Sequence, residues 1–237
     1  DPDFFDVPVT KLISKEYAEN IHQRITLDKI TPSTEILPGN ALPHESLDTT
    51  HFSVADKHGN VVSNTYTLNS GFGSGVVING TGVLMNNEMD DFVSSPGVPN
   101  QFGLVGGEAN KIEPFKRPLS SMTPTIVFHD NKPVIATGSP GGSRIITAVL
   151  QFLLNTLDFK MEISDATVVS RIHHQWKPDV LMLEKGFDTK HIKSIEGFNQ
   201  KVYISGPGTS LESLEIKNNL FYGFGDTRRP DSKARGL

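Results

Sequence analysis

Hydroxyl, amide and carboxylate side chains crowd the stretch from Thr49 to Asp91. It opens Thr49-Thr50-His51-Phe52-Ser53-Val54, turns at Lys57-His58-Gly59-Asn60, and resumes as Val61-Val62-Ser63-Asn64-Thr65-Tyr66-Thr67-Leu68-Asn69. After a glycine-rich link it reaches Asn86-Asn87-Glu88-Met89-Asp90-Asp91-Phe92. A purely structural hairpin needs few of these groups. A threonine hydroxyl is a poor nucleophile without a base. At a chain N-terminus the residue's own α-amino group, with a pKa of about 7.7–8.0, can serve as one. Inside a chain that nitrogen is an amide and cannot. Thr49 can therefore attack only if the Asp48–Thr49 bond is cut; uncut, it is an ordinary first residue of a strand.

Other chemistries find less support. Glu88, Asp90 and Asp91 could hold a hard cation, but no further ligands are spaced to join them. Gly138-Ser139-Pro140-Gly141-Gly142-Ser143-Arg144 could cradle a phosphate at a helix start, but the Walker lysine is missing. His173-His174 beside Trp176 lacks metal-ligand spacing and reads as packing or surface. The chain has no cysteine, which excludes disulfides, thiolate metal sites and cysteine nucleophiles.

The elements that must position these residues follow from periodicity. Thr50 to Asp56 and Val61 to Leu68 read as a hairpin around His58-Gly59-Asn60, with a third short strand at Val83 to Asn87. Thr125 to Phe128 and Val134 to Thr137 form a second hairpin around Asp130-Asn131. Ile145 to Leu157 reads as a helix with only a narrow polar face, hence largely buried, and Ile163 to Val169 as another. Strands are expected at Val180 to Glu184, Val202 to Ser205, Leu214 to Lys217 and Leu220 to Phe224, with a helix near Asp188 to Ile195. Residues 10–26 read as an amphipathic helix capped by Thr10 and stopped by Thr31-Pro32. The patternless run from Ser94 to Pro118 reads as a lid or binding loop. The order of elements implies an α+β domain with antiparallel sheets.

The 237 residues carry a formal charge of −5, all of it before Thr49, where 4 Lys/Arg face 9 Asp/Glu. That composition shift marks a boundary and leaves no basic stripe for nucleic acid. Arg228, Arg229, Lys233 and Arg235 read as a solvated terminal tail. Apolar runs are too short for a membrane span. Asp1-Pro2-Asp3 is acidic and lacks the apolar region of a signal peptide, which leaves open a piece of a longer secreted precursor.

The Thr49-to-Asn69 and Asn86-to-Phe92 blocks come with Gly103-Leu104-Val105-Gly106-Gly107, Lys116-Arg117-Pro118-Leu119-Ser120-Ser121-Met122-Thr123-Pro124-Thr125 and the Gly138-to-Arg144 loop. In that order they resemble the γ-glutamyltransferase (γ-glutamyl transpeptidase) family of bacterial type. The resemblance implies an N-terminal-nucleophile hydrolase fold, a four-layer α-β-β-α sandwich with two antiparallel sheets. It implies a zymogen that cuts itself at Asp48–Thr49. Residues 1–48 would then be the C-terminal tail of the large subunit and 49–237 the small catalytic subunit.

The resemblance also implies roles. Thr49 is the nucleophile and Thr67 its orienting partner. Asn69, Glu88 and Asp91 grip the substrate α-amino group. Ser120 and Ser121 bind its α-carboxylate, and Gly141 and Gly142 supply the oxyanion hole. An arginine used on the substrate carboxylate belongs to the missing part of the large subunit. No cofactor or metal is implied. Donors would be glutathione and other γ-glutamyl compounds, with water or an amino acid or peptide as acceptor, in a periplasmic or secreted setting. In a regular strand Glu88 and Asp91 face opposite sides, so the shared role demands an irregular turn at Met89-Asp90.

Rivals remain at this point. A cephalosporin or glutaryl acylase shares the nucleophile, but its substrate lacks an ammonium for Glu88 and Asp91. A poly-γ-glutamate transpeptidase needs a more open groove than the lid around Phe102 suggests. An unprocessed homologue would act as a binding protein.

Overall fold

The computed structural model describes residues 1–36, 49–95, 97, 98, 100, 101, 104, 106–206 and 208–236, the side chain of Thr189 excepted. Strands β1 (Thr49–Ala55) and β2 (Val61–Thr67) form a two-stranded antiparallel sheet. A four-stranded antiparallel sheet follows the order β3-β4-β8-β9, from β3 (Thr125–His129), β4 (Lys132–Thr137), β8 (Glu212–Lys217) and β9 (Leu220–Gly225). A third, three-stranded sheet joins β5 (Ile172–His173), β6 (Leu181–Glu184) and β7 (Val202–Ser205), with β6 and β7 parallel. The first two sheets match the antiparallel expectation. The parallel pair and the short β5 were not foreseen, since a two-residue strand has no period to read.

The β1–β2 hairpin packs on β4 and β8. The other face of the four-stranded sheet carries α3 (Arg144–Leu157) and α4 (Ile163–Val168). The core lies between that sheet and those helices, where Ile135, Ile145, Val149, Phe152, Ile163 and Leu211 form one buried cluster. Fully burying one such side chain is worth about 1.5–3 kcal/mol. Hairpin, sheet and helices thus give β-β-α, three of the four layers anticipated, while the hairpin's outer face stands exposed at Phe52, Val54, Val62 and Tyr66.

Several elements differ from expectation. The 10–26 helix is two pieces, α1 (Val9–Leu12) and α2 (Lys15–His22). Ser14, not Thr10, makes the cap by accepting from the Tyr17 N–H at 3.1 Å, which breaks the chain at Ile13. Neither piece buries a residue. Val83 to Asn87 makes only a single bridge, Leu84 to Val77. Helix α3 buries Ile145, Ala148, Val149 and Phe152, but Ile146, Leu150 and Leu154 lie exposed on the opposite ridge. The sheet offers this helix one surface, so only one stripe of a two-sided apolar helix is covered. The helix near Asp188 is α5 (Thr189–Gly197), capped by the Asp188 side chain.

Of the residues read as a solvated tail, Lys233 and Arg235 are exposed, but Arg228 and Arg229 are drawn into the fold. Asp226 is fully buried, and its carboxylate pairs with Arg171 at 2.7 Å and Arg228 at 3.0 Å. Arg228 also meets Glu184 at 2.6 Å. Burial alone would raise the Asp226 carboxyl, but the Arg171 guanidinium holds it below the usual range. Arg171 and Arg228 are thus ion-paired inside the fold. Breaking a buried ion network by removing one member costs about 3–5 kcal/mol. Asp226→Ala should lose that much in a denaturant titration followed by circular dichroism, and a loss near zero would mean the cluster contributes nothing.

Candidate active site

The register of the hairpin sets the site. Thr49 pairs with Thr67 across β1 and β2. In an antiparallel pair, residues directly opposite point to the same face, and here the two hydroxyl oxygens are 3.2 Å apart. Thr49 is 8% exposed and Arg229 donates to its carbonyl at 3.0 Å. Two residues along, His51 faces the same interior and bonds Thr65 Oγ1 at 2.8 Å and Ser53 Oγ at 3.1 Å. Burial pushes the His51 imidazole down to about 4, so it works as a neutral hydrogen-bonding group. Ser63 ties the hairpin to the neighbouring sheet, donating to the Thr137 carbonyl at 2.9 Å. Asp48 and Phe102 lie outside the described residues.

A chain of hydrogen bonds leads from the hydroxyl pair to the acidic turn. The Asn69 backbone N–H donates to Thr67 Oγ1 at 2.9 Å. Asn69 is buried with φ 77°, a left-handed conformation that asparagine tolerates better than most residues. Its Nδ2 donates to the Asn87 carbonyl at 3.2 Å, one residue before Glu88. Asn87 in turn accepts from Ser70 N at 3.0 Å and donates to Ser70 Oγ at 3.1 Å.

Residues Glu88–Asp91 form a short 3-10 helix. With three residues per turn, side chains at i and i+3 eclipse. That resolves the facing problem: the irregular turn expected at Met89-Asp90 brings Glu88 and Asp91 close enough for the Glu88 charge to act on the Asp91 carboxyl. Burial, with the adjacent Glu88 and Asp90 charges, pushes Asp91 up to about 7. Burial also raises Glu88. Asp90 points elsewhere and accepts from the Gln101 N–H at 2.9 Å.

Ser120 and Ser121 precede β3 in extended chain. Ser120 Oγ accepts from Met122 N at 3.1 Å, leaving its O–H to donate. Gly141 and Gly142 lie between β4 and α3, at φ 133° and 53°. Neither N–H has an acceptor among the described residues. A Cβ on Gly141 would lie 2.3 Å from the Gly208 carbonyl oxygen, so the position admits glycine alone. Nearby, Gly138 lies against the His51 ring, and Pro140 shares a cavity of about 450 Å³ with Thr50, His51 and Arg229. The glycine pair thus continues from a segment in contact with β1.

Three residues were given no role in the site by the sequence. Arg229 was placed in the tail, Asn87 ended the expected strand Val83 to Asn87, and His51 looked like one strand residue among several. Only the inward phase of Thr49, His51 and Ser53, two apart, hinted at the last. Among the described residues no cluster of three or more His, Asp or Glu could hold a metal ion.

The family described as gamma-glutamyltranspeptidase matches residues 1–236. The chain belongs to the gamma-glutamyltranspeptidase family. It is 50% identical over 237 residues to the glutathione hydrolase proenzyme of Escherichia coli K12, covering all of this chain and 41% of that protein. It is 47% identical to the glutathione hydrolase proenzyme of Pseudomonas sp. strain A14, covering all of this chain and 43% of that one. It therefore spans less than half the length of these relatives. A mutant of Helicobacter pylori gamma-glutamyltranspeptidase superposes with TM-score 0.74 at 48% identity, over 76% of this chain and 100% of that one. Cephalosporin acylase from Bacillus halodurans superposes with TM-score 0.80 at 23% identity, over 100% of this chain and 41% of that one, a likeness of fold alone. The fold is that of the N-terminal-nucleophile hydrolases.

The acidic pair has a measurable signature. Because the folded pKa of Asp91 is raised, its contribution to stability is full below the ordinary carboxylate range and is lost as pH rises through about 7. In a carbon-13 NMR titration of labelled carboxyls, Asp91 should titrate near 7. Glu88→Gln should lower that midpoint while burial keeps it above the reference of about 3.9. A native midpoint at the reference value would exclude a raised Asp91.

Proposed function

We propose that this chain is the catalytic part of a γ-glutamyltransferase and glutathione hydrolase. Residues 1–48 form the tail of the large subunit, and residues 49–237 form the small subunit freed by self-cleavage at Asp48–Thr49. The observation that carries the reading is Thr49 hydrogen-bonded to Thr67 at the open end of the hairpin, linked through Asn69 and Asn87 to the eclipsed Glu88–Asp91 pair.

The reaction runs by two displacements. The α-amine of the freed Thr49 takes the hydroxyl proton as Oγ1 attacks the γ-carbonyl of the donor. The oxyanion is met by the backbone N–H groups of Gly141 and Gly142; one such donor is worth about 3–4 kcal/mol. The C–N bond breaks, and the leaving amine departs with the proton. Water then yields glutamate, or an amino acid or peptide amine yields a new γ-glutamyl compound, and Thr49 is regenerated. Glu88, Asp91 and Asn69 present oxygens to the substrate ammonium, and Ser120 and Ser121 donate to its carboxylate. The 94–118 loop serves as the lid. The family likeness supports a periplasmic or secreted setting; no helix among the described residues is long and apolar enough to cross a membrane.

The test is the mass of the complete precursor after incubation. Two products should appear, one beginning at Thr49. Thr49→Ala should abolish both cleavage and turnover of a γ-glutamyl anilide. Thr67→Val, which removes one hydrogen bond to the nucleophile, should slow cleavage about tenfold or more. Turnover by an intact precursor would sink the N-terminal-threonine mechanism. A glutaryl anilide turned over faster than the γ-glutamyl one would make the enzyme an acylase.

A further inference from the structure

Asn110 has no role in the reading above, yet it is 9% exposed and bonded at every polar group. Its side-chain Nδ2 donates to the Asp91 carbonyl at 2.7 Å. Its Oδ1 accepts from the Leu119 N–H at 3.1 Å, and Leu119 immediately precedes Ser120. Its backbone carbonyl accepts from Val93 N at 2.9 Å, and its N–H donates to the Gly107 carbonyl at 3.0 Å. One carboxamide thus joins the last residue of the acidic turn to the residue before the serine pair. An amide is the side chain that can do this, because it donates at one end and accepts at the other.

We propose that Asn110 is a positioning residue that sets the spacing between the Glu88–Asp91 turn and Ser120–Ser121, and with it the fit of an α-amino-acid head group. The inference rests on the function proposed above. The ammonium and carboxylate of a γ-glutamyl substrate share one carbon, so their receptors must be held at one distance. Asp91 and Ser120 lie far apart in sequence and belong to different loops. Asn110 bridges them through side-chain bonds to both loops. Val93, paired with Asn110 and Lys111, fixes the exit of the acidic turn against the same strand of chain.

Two substitutions separate positioning from folding. Asn110→Ala removes both bonds. Asn110→Asp keeps the acceptor for Leu119 N–H and replaces the donor with a carboxylate beside Asp91. The complete precursor of each is compared with the parent for self-cleavage, melting temperature, kcat and KM on γ-glutamyl and glutaryl anilides, and the pH profile of kcat/KM. Self-cleavage does not use the head-group site and should proceed to completion in both. KM for the γ-glutamyl anilide should rise about tenfold, the worth of one or two buried hydrogen bonds, while kcat stays within about threefold. The preference for γ-glutamyl over glutaryl anilide should fall in Asn110→Ala. In Asn110→Asp the acid limb of kcat/KM should move to higher pH, because a third carboxylate disfavours ionisation of Asp91.

An unchanged KM in both variants overturns the inference, as does a fall in kcat at constant KM. Failure of both variants to self-cleave also overturns it, by making Asn110 a folding determinant. The parent enzyme reports separately on the function. If it ignores the γ-glutamyl anilide or prefers the glutaryl one, the head-group reading fails whatever the variants do.

Discussion

The site depends on the register of a single hairpin. Side chains in a strand alternate with period two, so a slip of one residue would send Thr49, His51 and Ser53 outward and bring Thr50, Phe52 and Val54 in. The chain accepts the reverse of the usual pattern: hydroxyls and an imidazole face the neighbouring sheet, and Phe52, Val54, Val62 and Tyr66 face out. Hydrophobic burial does not choose that orientation among the described residues. Polar bonds do, from Ser63 to the Thr137 carbonyl, from Ser53 to the Glu212 carbonyl, and from His51 to Thr65. A buried polar network is stable when its members are satisfied and costly when one is missing. The hairpin is thereby held in the one register that sets Thr49 against Thr67.

The second constraint is electrostatic. Two carboxyls on one side of a tight turn, partly removed from water, cannot both ionise cheaply. Burial and the neighbouring Glu88 charge raise Asp91 to about 7. An ammonium between them would reverse the balance, because an opposite charge favours the ionised form of each. Under the proposed function the pair would be a receptor whose own repulsion its ligand relieves. A substrate lacking the cation would leave the repulsion in place, and a γ-glutamyl donor would be told from a glutaryl one on that ground. The Asn69–Asn87 link matters for the same reason: it ties the turn to the residue that bonds Thr67, so recognition and attack share one scaffold.

Much of this was legible beforehand, and the parts that were not have physical reasons. Both hairpins could be read because alternation and turn residues agree; Asp130 and Asn131 take positive φ in the turn expected of them. The bend at Glu88–Asp91 followed from requiring two residues three apart to share a face, and a 3-10 turn meets that requirement. Helix α3 misled because periodicity reports how much of a helix is apolar, not how much surface it is offered. The 10–26 segment misled because Ser14 is both a fair helix residue and a better cap. Arg229 and Asn110 were invisible because their partners, Thr49 and Asp91, are distant in sequence, and a single arginine or asparagine carries no period.

The C-terminal segment joins stability to chemistry. Asp226 is anchored by Arg171 and Arg228 in the interior, and three residues later the chain delivers the Arg229 guanidinium to the Thr49 carbonyl. The position of that cation is therefore set by a buried ion cluster rather than by a flexible tail. Its charge has a direction. A guanidinium held at the carbonyl of Thr49 lies close to the nitrogen of the same residue, and a neighbouring cation disfavours protonation of an amine. Under the cleavage proposed before Thr49, the same contact that fixes the strand end would also favour the neutral amine, the form able to accept the hydroxyl proton.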